Sequence, residues 1–474
     1  MLKVISPYNF KVIKEIPLDG KAEVEKALEV AHNLFANRDN WLPAYTRIEI
    51  LERVAEIMKS RVEELTKIAA EEGGKPYMDS KVEVLRAING VKVAIEQIGQ
   101  LKGEQIPMGH TQSSENRLAF TIREPIGVVA SISAFNHPLN LIIHQTVTAI
   151  AAGCPVIVKP ARSTPLSCLA FNDILHEAGL PNGWCQTIVC NNQDSELLVT
   201  DKRISYFSFI GSSKVGWYLK SKLAHGTACA LEHGGAAPII IEADADIENV
   251  IPALLKAGFY HAGQVCVSVQ RIFVHKDIVE EVAYDLAKMA ERLIVGNPLD
   301  PKTEVGPLIL PEEVDRLELW VNDAVNKEAK LLCGGKRISK CCYEPTVLLN
   351  PPDDALVSTM EIFGPVVCIY TYSDRNEAIK RANALPFIFQ AAVFTKNIDI
   401  ALDTVNKLKA TAVMVNDHTA FRVDWMPFGG RSESGIGRGG IPYSIHEMTA
   451  EKLVVIKSQP PLPLASPPEG EKWG

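Results

Sequence analysis

From residue 125 onward the chain repeatedly changes its hydrophobic period. Short apolar runs at Ile126 to Ile132, Val156 to Lys159, 186–189, 204–209 and 238–241 are separated by helical stretches, among them 139–152 and 165–178, the latter closed by Gly179. Apolar strands of this kind are covered on both faces, and strands spaced by helices run parallel, so the pattern predicts a parallel sheet sandwiched between helices. Such sheets bind ligands beyond the carboxyl ends of their strands. A second cycle follows over 246–415, with helices near 246–261, 277–294, 311–328, 374–384 and 397–408 and strands near 270–275, 366–371, 390–395 and 411–415. A chain of 474 residues with two such cycles exceeds what one core serves and predicts two sizeable α/β domains.

Upstream, Val24, Ala27, Leu28, Ala31 and Leu34 mark an amphipathic helix over 22–36, and Leu51, Val54, Met58, Val62 and Leu65 a longer one over 47–72, ended by Gly73-Gly74-Lys75-Pro76. Residues 105–125 hold two β-prone runs around a polar turn, and Lys452 to Ile456 is strand-like. Each offers an unpaired edge, so the two are expected to pair across subunits and make a dimer or a tetramer of dimers. The tail from Gln459 is Pro-rich and expected to be loosely held.

The formal charge of −8 argues against nucleic acid or an anionic membrane as the partner and for small molecules. No apolar stretch is long enough to span a bilayer, and Met1-Leu2-Lys3-Val4 runs into Pro7 without the core of a signal peptide, which points to the cytoplasm. The ten cysteines, mostly inside apolar runs, are expected to be buried thiols and not disulfides. Cys341-Cys342 has no matching Cys or His cluster, so no metal site is expected.

One cysteine stands apart. Cys266 follows Gly263-Gln264-Val265 and precedes a β-branched run, as a nucleophile held at a helix-to-strand junction would. A thiol acts as its thiolate and needs a base, a cation or oriented N–H groups. Glu232, followed by His233-Gly234-Gly235, is the candidate base. Phe209-Ile210-Gly211-Ser212-Ser213 leads from a strand into a helix whose N–H groups suit a pyrophosphate, although the usual three-glycine fingerprint is missing.

Cys266 in Gly-Gln-x-Cys, Glu232 in Leu-Glu-x-Gly-Gly, Asn136 in Phe135-Asn136-His137-Pro138, and Glu361-Ile362-Phe363-Gly364-Pro365 together resemble the aldehyde dehydrogenase superfamily, from about residue 5 to residue 456. The pattern, including Val415-Asn416-Asp417 and Phe421-Arg422-Val423-Asp424, is most similar to the lactaldehyde and glyceraldehyde branch. The resemblance implies a Rossmann-type dinucleotide-binding domain over 1–104 and 124–233, an α/β catalytic domain over 234–430 carrying the nucleophile, and a small β oligomerisation arm with the tail at 105–123 and 450–474.

It also implies roles. Cys266 attacks the aldehyde, Asn136 and the Cys266 N–H form the oxyanion hole, and Glu232 activates water. Lys159 contacts the adenine ribose, Gly211 and Ser212 the phosphates, and Glu361 and Phe363 the nicotinamide side. Arg162 departs from the pattern, since many NAD-preferring relatives carry Glu there. A cation at that place attracts the 2′-phosphate of NADP, so NADP is expected to serve at least as well as NAD. His137 is a structural histidine, a polar substrate contact or a proton shuttle. Arg422 either clamps an anionic aldehyde tail or pairs with Asp424.

The implied activity is NAD(P)-dependent oxidation of an aldehyde to a carboxylate through a Cys266 thioester. Three rivals are a CoA-acylating relative, a binding protein on an inactive scaffold of this kind, and a cofactor-free cysteine hydrolase. Glu232 disfavours the first, because such relatives often lack it. The set Cys266, Glu232 and Asn136 disfavours the second. Lys159, the 211–216 turn and Glu361 would have no role in the third.

Overall fold

The computed structural model describes residues 1–459, so the Pro-rich tail, expected to be loosely held, lies outside the described residues except at its start. Two sheets carry the molecule. The first has the order Gly435–Ile436, Ala228–Glu232, Ile204–Ile210, Val128–Ile132, Val156–Lys159, Cys185–Thr187. All its pairs are parallel except that of Gly435–Ile436 with Ala228–Glu232. The chain winds outward from Val128–Ile132 through Val156–Lys159, then crosses back to Ile204–Ile210 on the other side. The order therefore reverses between Val128–Ile132 and Ile204–Ile210, where a crevice opens at the strands' carboxyl ends.

The second sheet has the order Lys330–Cys333, Thr346–Leu349, Val366–Tyr372, Val269–His275, Ala237–Ile241, Gln390–Phe394, Ala412–Val415, antiparallel only at its first pair. The run at 238–241, which the hydrophobic alternation groups with the first sheet and the domain boundary at 234 with the second, is an inner strand of the second, next to the strand that follows Cys266. Its periodicity says that it is buried, and a continuous apolar run has no means of saying in which sheet.

Helix Asn140–Ala152 is buried at every residue, because the sheet lies on one side and helices Tyr77–Ile98 and Ile441–Glu447 on others. It ends at Gly153, whose left-handed φ of 89° suits glycine. Neither this helix nor Leu166–Glu177 has a side-chain cap of its own. Remote carboxylates do the work: Glu83 accepts from the N–H groups of Leu139 and Asn140 at 2.9 and 3.0 Å, and Glu72 from those of Leu166 and Ser167 at 2.6 and 2.8 Å. An anion at a helix N-terminus is favourable there. Glu83 also holds Lys75, both side chains fully buried. Removing one partner of such a pair costs about 3–5 kcal/mol, since the other charge is stranded.

Three expectations change. The helix expected over 47–72 is two, Ala44–Ser60 and Val62–Gly73, broken at Arg61, whose φ of −112° and ψ of 21° lie outside the helical basin. Helix Tyr77–Ile98 was not foreseen, its inner face being mixed apolar and charged. Most consequentially, the arm pairs within the chain. Strand Arg117–Pro125 runs antiparallel to Thr449–Lys457 over its whole length, Thr449 opposite Pro125 and Lys457 opposite Arg117, with Gln105–Ile106 on the far side. Each run covers one side of the other within the chain, because the helix Ile441–Glu447 delivers the last strand beside the arm, and Thr449–Lys457 stays an outer strand of the three.

Candidate active site

Helix Ile247–Phe259 leads to the nucleophile through an unusual turn: His261, Ala262 and Gly263 have φ of 49°, 53° and 69°. Left-handed non-glycine residues cost of order 1–3 kcal/mol each and persist where the surroundings over-determine them. Gly263 has a second reason to be glycine, since a Cβ there would run into the Gly364 carbonyl. The Gln264 side chain fastens the turn, donating to the carbonyls of His261 and Pro307 at 3.3 and 3.2 Å and accepting from Ile309 N–H at 2.9 Å. Thr419 Oγ1 donates to the Val267 carbonyl at 2.7 Å. Between these anchors Cys266 is half-buried, beside Val265, Val267, Phe389 and Phe428.

Asn136 is buried in the turn after Val128–Ile132, and its Nδ2 donates to the Gln264 carbonyl at 3.0 Å. An amide nitrogen carries two hydrogens, so one remains for a ligand. Burial pushes the Cys266 thiol up to about 12, with the Arg422 charge pulling it down and Glu232 and Glu361 pushing it further up. Those three side chains are therefore its electrostatic neighbours. Glu232 ends strand Ala228–Glu232; burial raises its carboxyl above the ordinary range, against the pull of Arg422. A Cβ on Gly439 would meet this carboxyl group, so the glycine turn before Ile441 is what makes room for it.

Of the expected cofactor residues, Lys159 and Gly211 stand at the carboxyl ends of strands on either side of the sheet's reversal, and Glu361 and Phe363 lie in the turn before Val366–Tyr372 of the second sheet. Lys159 is the last residue of its strand, opposite Ile132, buried and without an ion pair among the described residues. Burial and the Arg162 charge both lower its affinity for a proton, which places Arg162 near it; Arg162 itself is exposed. Gly211 N–H donates to the Glu232 carbonyl at 3.1 Å, and a Cβ on Gly211 would press the Phe209 ring at 2.6 Å. Ser212 then caps helix Ser213–Lys220 without using its side chain. Glu361 Oε1 accepts from Gly235 N–H at 3.1 Å, and burial pushes its carboxyl up to about 7. Phe363, at φ 47°, stands edge-on to Phe135 with ring centroids 6.0 Å apart. A glycine cradle opening onto a free helix N-terminus, a buried cation and a carboxyl on the far side together fit a dinucleotide.

The substrate side contains residues the sequence did not single out. His137 Nε2 lies 3.5 Å from Tyr260 Oη, and Lys75 lies over the Tyr260 ring at 5.9 Å. Arg422 makes no ion pair with Asp424 within the described residues. Asp424 instead takes Arg86 in a two-pronged bond of 3.2 and 2.7 Å, His144 at 2.8 Å and Asn140 Nδ2 at 3.3 Å. The available signal was Asp79, Glu83 and Arg86, charges at helical spacing among apolar Val84, Ala87 and Val91.

The chain matches the aldehyde dehydrogenase family over residues 1–454. It is 38% identical over 456 residues to a 3-sulfolactaldehyde dehydrogenase of Priestia aryabhattai, covering 96% of this chain and 94% of that one. It is also 38% identical over 460 residues to a lactaldehyde dehydrogenase of Methanocaldococcus jannaschii, covering 96% and 97%. The crystal structure of a glyceraldehyde-3-phosphate dehydrogenase from that organism, complexed with NADP, superposes with a TM-score of 0.92 at 37% identity, covering 97% of this chain and 99% of that one. The family match runs through the nucleophile turn, the sheet reversal and the arm alike, and the chain belongs to the aldehyde dehydrogenase family as an NAD(P)-dependent oxidoreductase acting on aldehydes.

Proposed function

We propose that Cys266 is the nucleophile, Asn136 with the Cys266 N–H the oxyanion hole, and Glu232 the base of a hydrolytic aldehyde dehydrogenase. The observation that carries this reading is the bond from Asn136 Nδ2 to the Gln264 carbonyl, which fixes a free amide hydrogen two residues from Cys266. The Cys266 thiolate adds to the aldehyde carbon, and the oxygen's developing charge falls on the two donors; one such donor is worth about 3–4 kcal/mol in the transition state. NAD or NADP, held by Lys159, Gly211, Ser212, Glu361 and Phe363, supplies the hydride acceptor. The product on Cys266 is a thioester. Glu232 then takes a proton from water, the hydroxide adds, the C–S bond breaks, and the carboxylate leaves with the thiolate restored. The Glu232 carboxyl favours this acyl acceptor over CoA, so turnover unchanged by added CoA, with free acid as product, is the expected result. A CoA thioester as the main product would overturn hydrolysis.

We infer that NADP serves at least as well as NAD. Lys159 and Arg162 place two cations at one strand end, and the charge of one is felt by the other. A charge-assisted bond from a partly desolvated Arg162 to the 2′-phosphate is worth about 1.5–3 kcal/mol, and an exposed one about 0–1 kcal/mol. Because Arg162 is exposed, a preference of no more than about fivefold for NADP in kcat/KM is expected. Arg162→Glu reverses it. A wild type that strongly prefers NAD, or a ratio unmoved by the substitution, would show that Arg162 does not reach the phosphate.

We also propose a homo-oligomer, operating in the cytoplasm. All ten cysteines are free thiols, as a reducing compartment allows, and no helix among the described residues is long and apolar enough to cross a membrane. The arm exposes Leu118, Ile122 and Ile456 on one face and Leu453 and Val455 on the other. A three-stranded sheet with apolar residues exposed on both faces requires cover. Light scattering at micromolar concentration should give a dimer or tetramer mass; a stable monomer contradicts the proposal. Leu453→Asp combined with Val455→Asp should shift the mass downward.

A further inference from the structure

Hydrolysis leaves a proton on Glu232 that has to be removed. Water attacks the Cys266 thioester after giving that proton up, a second proton is lost when the acid ionises, and Glu232 must unload before the next cycle. Its carboxyl is hemmed in, since a Cβ on Gly439 would meet it, and burial raises its affinity for the proton. The charges that act on it are Arg422 and Glu447.

Glu447 is built into the far end of the same strand face. In the pairing of Ile204–Ile210 with Ala228–Glu232, Tyr206 stands opposite Ala228, Ser208 opposite Ala230 and Ile210 opposite Glu232. Alternation puts Tyr206, Ser208, Ala230 and Glu232 on one face, where Tyr206 and Ala230 pack with Ile441 and Ile445 of helix Ile441–Glu447. Tyr206 Oη donates to Glu447 Oε2 at 2.7 Å, and Arg438 N–H to Oε1 at 3.0 Å. Burial, with Glu447, Cys229 and Glu232 around it, raises the Tyr206 hydroxyl well above its usual range, so it stays a donor and holds the carboxylate in place. The helix itself does not favour this anion, which sits on its last residue against the dipole.

The gap between the two carboxyls is narrow. Ala230 floors it and Gly437 roofs it: a Cβ on Gly437 would lie 2.8 Å from the Ala230 Cβ and 3.2 Å from Glu447 Oε2. Along the strand Ala230 and Glu232 are about 7 Å apart, a span that one or two waters bridge. Polar atoms flank it. Ser208 Oγ accepts from Gln145 Nε2 at 3.0 Å, and Gln145 Oε1, buried on helix Asn140–Ala152, has no hydrogen-bond partner among the described residues. A buried acceptor of this kind is ordinarily met by water. On its other side Glu447 opens on a cavity of about 1090 Å³, lined also by Trp217, Arg438, Tyr443 and His446.

We propose that Glu447, fixed by Tyr206 and Arg438, is the outlet for the proton that Glu232 takes from water, passing it across the gap between Ala230 and Gly437 to the cavity beyond. Only O–H bonds change: Glu232 returns to carboxylate, Glu447 is protonated in passing, and a solvent base in the cavity takes the proton. The inference rests on Glu232 as the base of the catalytic reading and adds the route by which that base is restored. A merely structural Glu447 would brace Tyr206 and the helix end, and its loss would be indifferent to the buffer.

The test is the turnover of Glu447→Gln with the best substrate among lactaldehyde, glyceraldehyde 3-phosphate and propanal, in dilute bulky buffer and again with added imidazole. In the dilute buffer kcat should fall about tenfold, less than the roughly hundredfold or more of a group that moves a proton in the transition state itself, because water still carries the proton slowly. Imidazole, small enough to enter the cavity, should restore most of that loss. Since hydride transfer precedes the affected step, kcat/KM and NADP affinity should stay at wild-type values. Glu447→Asp should keep part of the wild-type rate, and adding Glu447→Gln to Glu232→Gln, which has no proton to export, should cost nothing further. If Glu447→Gln does not fold, Tyr206→Phe, which frees the carboxylate from its bond, should show the same dependence on buffer in smaller measure. Wild-type kcat for Glu447→Gln in dilute buffer, a loss that imidazole does not restore, or a further loss in the double variant would overturn the outlet. Wild-type turnover by Glu232→Gln would instead overturn the catalytic reading.

Discussion

Cys266→Ala is expected to remove dehydrogenase turnover to below a hundredth of wild type while leaving fold and NADP binding intact. No other thiol replaces it. Cys154 and Cys168 are buried, with burial pushing them up to about 11 and about 12, and neither lies at the carboxyl end of a strand facing the crevice. Cys229, half-buried on the strand of Glu232, is raised by burial too, with only Lys220 opposing. The wild type offers a matching measurement. With burial holding the resting Cys266 thiol near 12, its thiolate fraction rises tenfold per pH unit through the neutral range. Alkylation by iodoacetamide should therefore accelerate without a plateau between pH 7 and 10. Fluorescence titration with NADP checks that the alanine variant still binds it. Activity above a few per cent would remove Cys266 from the mechanism.

The second large effect belongs to Glu232→Gln, which should permit one hydride transfer and then stall. The carboxamide cannot take a proton from water, so the acyl group stays on Cys266. A pre-steady-state burst near one equivalent of reduced cofactor, followed by turnover at least hundredfold slower than wild type, is the expected trace, in keeping with the worth of a positioned base. The pH profile supplies the sign. Burial raises the Glu232 carboxyl, so as pH falls the base is protonated and lost at a higher pH than an ordinary carboxylate would be. The acid limb of kcat should thus lie above 4.5 in the wild type and vanish in the variant. An unchanged steady-state rate would assign the proton to another group, and the 438–445 stretch contains no Glu to take it.

Much of this architecture is legible from residues alone, for definite reasons. Val128–Ile132 and Val156–Lys159 are apolar at successive positions because both faces of their sheet are covered, and that signal is local. Helix Asn140–Ala152 and the four short motifs are legible likewise. Helix Tyr77–Ile98 hides because Glu83 and Arg86, charges that ordinarily face water, turn inward to cap a helix and to meet Asp424. Strands Lys330–Cys333 and Thr346–Leu349 are short and adjoin Gly334-Gly335 and Pro345 with Pro351-Pro352, which reads as loop. The pairing of the arm with the last strand joins residues more than three hundred positions apart, and no local pattern encodes such a partner. The same holds for the bond of Arg86 to Asp424, which joins residues equally remote in the chain.

The route of the chain also sets an order of events during synthesis. The second sheet is drawn from one uninterrupted stretch, Ala237 to Val415, and has all its strands as soon as that stretch has left the ribosome. The first sheet must wait. Its edge strand Gly435–Ile436 closes beside Glu232, and helix Ile441–Glu447 covers helix Asn140–Ala152, yet both are made about two hundred residues or more after the strands they complete. Domains that emerge whole fold as units during translation, and long-range closure is slow. The nascent protein thus holds an open, sticky first sheet for nearly half of its synthesis, and a chain stopped before Gly435 would present that sheet to chaperones and proteases indefinitely.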